Sequence, residues 1–226
     1  MCQCLILGPK SFLTLKDFVF SYFRVFVIQV LDYFDPRDNT MTKLKDLIQE
    51  PPVHERRLEF KTFALEDDRI VVEGWLKDDR FVPRYHLDGS VSPPGKVHRI
   101  CVRLLLGGWP LSILDAEAEM PFVPYDECLT TQDTVKKAVG LTITHGYGDE
   151  VIERLGGVKG CTHMVQLIIG MGNAALHGYW SHRLQNRRPL PDTPEEIPEL
   201  DYVIDSCQIW QKDGPLIQRI RDSLIK

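Results

Sequence analysis

The sequence predicts an α+β fold, with antiparallel β-hairpins forming a sheet covered on one side by helices. Two observations lead there. Apolar and polar residues alternate with period two through much of the first half of the chain. A 3.6-residue period takes over after Thr131. Strands therefore come first and helices after, the order of an α+β chain rather than an alternating one.

Leu58 to Leu65 and Arg69 to Lys77 form the first pair of alternating runs, joined through Glu66-Asp67-Asp68 as a hairpin with a charged loop. Asp78 to Lys96 is polar and turn-rich, with Asp88-Gly89 and Pro93-Pro94-Gly95, and reads as a loop with a short strand inside. A second hairpin runs from Val97 to Leu106 and from Leu111 to Glu119, turning at Gly107-Gly108-Trp109-Pro110. Its second arm places Leu114, Ala116 and Ala118 on a buried face and Asp115, Glu117 and Glu119 on a wet one. Cys101, mid-strand in the first arm, reads as core.

Thr131 to Val139 and Asp149 to Leu155 read as short helices, stopped at Gly140 and at Gly156-Gly157. A long helix starts near Thr162, with Met164, Leu167, Ile168, Met171, Ala174 and Ala175 as its apolar stripe. A polar line of His163, Gln166, Gly170, Asn173 and His177 runs beside it. Pro189 to Pro198 is a surface loop, Tyr202-Val203-Ile204 a short strand, and Gly214-Pro215 opens an amphipathic terminal helix.

The 226 residues suit one domain, and 43% hydrophobic with 26% charged residues is ordinary for a globular chain. A net charge of -5 without any basic surplus excludes a general nucleic-acid binder. Six irregularly spaced cysteines and no convincing secretion signal point to reduced thiols and a cytoplasmic location. Residues 12 to 34 hold six of the ten phenylalanines, but Arg24 leaves them short of the roughly 20 apolar residues of a spanning helix. Residues 1–40 are accordingly expected to be a hydrophobic extension, outside a single α+β domain over 41–226, and the sequence leaves both Met1 and Met41 open as the start of translation. Any membrane association depends wholly on that extension.

The chemistry concentrates at Gly160-Cys161-Thr162-His163, where a glycine turn meets the start of the long helix. Unpaired N–H groups and the helix dipole favour a thiolate there, the nucleophilic and metal-ligating form. Catalytic candidates are Cys161 and His163. Cys128, Cys161, His163 and Cys207 together offer three sulfurs and a nitrogen to zinc or an iron–sulfur cluster, without the Cys-x-x-Cys spacing that marks such sites strongly. The competing explanation for each cysteine is packing, since free cysteine is among the most buried residue types. Arg154, Asn173 and His177 are candidates for holding a substrate.

Arg154-Leu155-Gly156-Gly157, Gly160-Cys161-Thr162-His163 and Asp205-Ser206-Cys207 resemble the bacterial domain-of-unknown-function family DUF2889. His54-Glu55-Arg56, Ile113-Leu114-Asp115-Ala116 and Pro124 to Cys128 extend the resemblance over roughly His54 to Trp210. The chain departs from it at Tyr147, where the family tends to show tryptophan. The resemblance implies a shared site without an assigned activity. A fainter one, at the level of fold, is to iron–sulfur scaffold and sulfur-acceptor proteins of the SufE/NifU-like fold, with Cys128 and Cys161 at corresponding turns.

The function expected from all this is a cytosolic protein with a thiolate site at Cys161/His163 that acts on a small molecule or carries sulfur to a partner. The alternative is a non-catalytic metal or iron–sulfur scaffold built on Cys128, Cys161 and Cys207.

Overall fold

The computed structural model describes residues 43–185, 196–197 and 199–224. Contacts divide the chain into Met1–Pro51 and Pro52–Lys226. In the first unit the described residues hold one 3-10 turn, Leu44–Leu47. The expectations for the hydrophobic extension lie outside the described residues, as does most of the Pro189–Pro198 loop. Among the described residues no helix is long and apolar enough to cross a membrane.

The second unit is an α+β fold, as the alternating runs predict. Strands β1 (His54–Ala64), β2 (Ile70–Arg80), β5 (Gly95–Gly107) and β6 (Ser112–Phe122) form an antiparallel sheet in the order β1-β2-β5-β6. The turn-rich stretch between β2 and β5 contains a two-stranded hairpin of β3 (Arg84–Tyr85) and β4 (Val91–Ser92). Helix α2 (Thr162–Arg183) lies across β1, β2 and β5, while a 3-10 segment, Asp126–Ala138, packs on β6. Helix α1 (Tyr147–Leu155) fills the corner between that segment and α2. Short α3 (Leu200–Val203) and terminal α4 (Pro215–Leu224) complete the described chain.

Strict alternation builds the core face. Ile70, Val72, Leu76, Ile100, Val102, Leu104 and Leu106 are fully buried, opposite Met164, Leu167, Ile168, Met171 and Ala175 of α2. Gly170 lets helix and sheet approach closely, because a Cβ there would stand 2.7 Å from the Phe60 ring of β1. On the other face Arg103 donates to Glu73 at 2.8 Å, Glu117 at 3.1 Å and Glu119 at 2.5 Å. That is the wet charged face the sequence predicts for Glu117 and Glu119.

Three elements differ from the sequence reading. Leu114 is 46% exposed, because Leu105 pairs with Asp115 and Leu106 with Ile113, so Leu114 bulges out between them. The Thr131–Val139 helix is instead part of the longer 3-10 segment. Within it Thr130, Thr131 and Thr134 donate their hydroxyls to carbonyls three residues back. Those bonds match the 3-10 spacing and compete with an α-helical ladder. Tyr202-Val203-Ile204 belongs to and follows the single turn α3 rather than a strand. Three apolar residues are too few for periodicity to separate a strand from a buried helical turn.

Candidate functional site

Period two carries one polar residue onto the core face. Ile70, Val72, Gly74, Leu76 and Asp78 are alternate members of β2, and Asp78 is only 1% exposed. Its partner across β1 is Arg56 and across β5 is His98, so the three stand in one row over three strands. Arg56 grips the carboxylate as a fork, Nε to Oδ1 at 2.7 Å and Nη2 to Oδ2 at 2.6 Å. His98 Nδ1 lies 2.8 Å from Oδ2, and His54 Nε2 lies 3.7 Å from Oδ1. A bulge skips Val97 just beside this row, and Arg99 donates to the Asp78 carbonyl at 2.7 Å. Bulges of this kind re-aim side chains next to functional sites.

Helix α2 closes the row from above. Its cap is Cys161 and its second residue His163, whose ring centroid lies 4.0 Å from that of His98. Cys161 is half-buried, and its Sγ lies 3.8 Å from His163 Nδ1. One turn on, Gln166 Oε1 accepts from Arg56 Nη1 at 3.0 Å, tying helix to sheet. The sequence joined Cys161 to His163, and the structure brings them together. Asp78 and His98 complete the group: donor atoms of Asp78, His98 and His163 all lie within 4.8 Å of one another.

The electrostatics follow from this crowding. Burial raises the proton affinity of Asp78, but hydrogen bonds and charge from Arg56 and His98 outweigh it and hold the carboxyl below its ordinary value. Burial, with His98 and Arg56 beside it, pushes the His163 imidazole down to about 4, against the pull of Asp78. His163 is therefore neutral at pH 7.

The other sequence candidates are dispersed. Cys128 sits in the 3-10 segment, packed against the core, and Cys207 is exposed at the cap of the Gln208–Trp210 turn. Neither joins the Asp78–His98–His163 group, which is the set of metal-type donors that converges among the described residues. Arg154 lies in the last turn of α1, its guanidinium donating to Val139 O at 3.1 Å. Asn173 and His177 line two separate cavities, the first with Trp109 and Tyr202, the second with Thr62 and Ser181. Cys101 is fully buried, as expected of a core residue, and burial pushes its thiol up to about 12. Asp78 and His98 escaped the sequence reading, yet one signal marked Asp78: it continues the even-numbered apolar face of β2, where a carboxylate has no solvation reason to be.

A family model described as Protein of unknown function (DUF2889) matches residues 54–177, more than half of the chain, and the chain belongs to that family. The matched span begins at His54 and includes Arg56, Asp78, His98, Cys161 and His163. It ends before Asp205-Ser206-Cys207, so that part of the resemblance lies beyond it. No curated protein and no solved structure matches the chain, and nothing in the comparisons supports the likeness to the SufE/NifU-like fold. At the departure from the family pattern, Tyr147 is buried and donates its hydroxyl to Ile168 O at 3.0 Å.

Proposed function

We propose that this protein binds one divalent transition-metal ion through His98, His163 and Asp78, as a metal-dependent catalyst or carrier in the cytosol. The observation behind the reading is the convergence of those three donors within 4.8 Å from two strands' worth of sheet and one helix end. Two imidazoles and one carboxylate are the donor set of many zinc and non-haem iron(II) sites. Bonds of about 2.0–2.2 Å place donors at most about 4.4 Å apart, so a small closing movement brings all three onto one ion. Asp78 is also shared with Arg56, whose charge opposes the cation and tempers its affinity.

A second reading has its own observation. The contact between Cys161 Sγ and His163 Nδ1 suits a thiol that acts on a small molecule or carries sulfur to a partner. One experiment separates the two. Protein purified without chelators under anaerobic conditions is assayed for bound zinc and iron and for the alkylation rate of Cys161. About one equivalent of metal, lost in His98→Ala and in His163→Ala but kept in Cys161→Ser, supports the metal centre. Metal-free protein that zinc and iron(II) fail to stabilise against heat, with a Cys161 that reacts far faster than Cys207, overturns it in favour of the thiol.

A further inference from the structure

The cavity that Asn173 lines lies apart from the histidine group. It has a volume of about 690 Å³ and opens between the β5–β6 turn, the loop leading into α1, the middle of α2 and the segment after α3. None of Asp78, His98, Cys161 or His163 lines it. Ligand pockets commonly enclose about 300–1,000 Å³, so the size suits one small organic molecule.

Its aromatic wall is fixed from behind. Trp109 stacks on Tyr179, with ring centroids 5.4 Å apart and planes 14° from parallel. Tyr179 is 3% exposed; its hydroxyl donates to Asp68 Oδ2 at 3.3 Å and accepts from Arg183 Nη1 at 2.9 Å. Tyr202 meets Trp109 at 4.7 Å and 59°, so two rings form a corner whose indole is braced by a third. Rings immobilised in this way lose little freedom when a ligand stacks on them. Asn173, His145 and Ser206 supply hydrogen-bonding groups around the same space.

Among the described residues, the lining contains no Asp, Glu, Lys or Arg. A charged ligand would give up hydration there without a counter-charge, which is costly. We propose that this cavity binds an uncharged aromatic molecule bearing hydrogen-bonding groups, of the size of a nucleoside or smaller. Stacking against the Trp109–Tyr202 corner supplies affinity, and Asn173 supplies orientation.

The test uses the full ¹⁵N-labelled chain and follows the Trp109 indole N–H by NMR. Indole and adenosine are the neutral aromatic probes; cyclohexanol and adenosine 5′-monophosphate are the non-planar and charged controls. Asn173→Trp fills the cavity from an exposed helix position, and its remaining amide spectrum reports that the fold persists. Expected are saturable shifts with indole and adenosine, weaker response to both controls, and affinity for the aromatics reduced by about tenfold or more in Asn173→Trp. The proposal is overturned by a Trp109 signal that neither aromatic moves. Controls that bind as tightly as the aromatics, or aromatic binding unchanged in Asn173→Trp, overturn it equally.

Discussion

The two faces of the sheet each carry a charged row across neighbouring strands, and they differ in almost every consequence. On the open face Arg103 joins Glu73, Glu117 and Glu119, with Glu117 and Glu119 side chains 63% and 55% exposed. On the covered face Arg56, Asp78 and His98 join under α2, and the central carboxylate side chain is 2% exposed. The chemistry of pairing is similar; the solvent is not. Water screens Glu117 and Glu119 in the open row, whereas the buried carboxylate of the covered row must be satisfied by its neighbours. A chain that needed only stability could have filled the covered position with leucine, since buried ion pairs seldom outperform apolar packing. Retaining a carboxylate and two imidazoles there points to use.

The sharpest way to break the comparison is Asp78→Ala. It strands Arg56 and His98 without their shared acceptor, and a loss of about 3–5 kcal/mol in urea denaturation is expected. A loss below about 1 kcal/mol, on the scale of exposed pairs, would mean that water reaches the row and that burial is not what distinguishes it.

Next in size is a pH effect, measured with chelator present. His163 has a folded pKa of about 4, against about 6.5 in an unfolded chain. Between those values the unfolded state holds more protons, so stability falls as pH drops from near 6.5 toward 4. Asp78, held below its ordinary value, adds its own loss at still lower pH, as the carboxylate is protonated in the folded state. In His163→Gln the decline between pH 7 and pH 5 is expected to be shallower than in the unaltered protein. Parallel stability curves would show that the imidazole is freely hydrated.

The smallest effect belongs to the open face. Glu117→Ala removes one of three carboxylates around Arg103 and should cost about 0–1 kcal/mol, less at high salt. A larger, salt-insensitive loss would put the open row on the same energetic footing as the covered one.

How far the sequence announced this arrangement depends on the distance over which each signal acts. The four long strands and α2 were legible because their periodicities run for about eight residues or more. The Leu114 bulge was not, since one extra residue leaves the local pattern looking regular. Cys161 and His163 were legible as neighbours at a helix start. Their partners were hidden because Asp78 and His98 are 20 residues apart in sequence and meet only through strand pairing. A carboxylate at the end of an apolar run resembles the start of a turn, which is why the sequence alone puts Asp78 in a loop. Cys128 and Cys207 drew attention as sulfurs, but residue type does not determine convergence.

The row of Arg56, Asp78 and His98 has a consequence for folding itself. Sliding either neighbour of β2 by one residue would send its own row member to the opposite face and leave the acid facing hydrocarbon. Apolar side chains along these strands are nearly interchangeable at offsets of two residues, which keep them on the same face. A single buried acid between two basic groups accepts one alignment, so the same residues that could hold an ion also fix how three strands are matched.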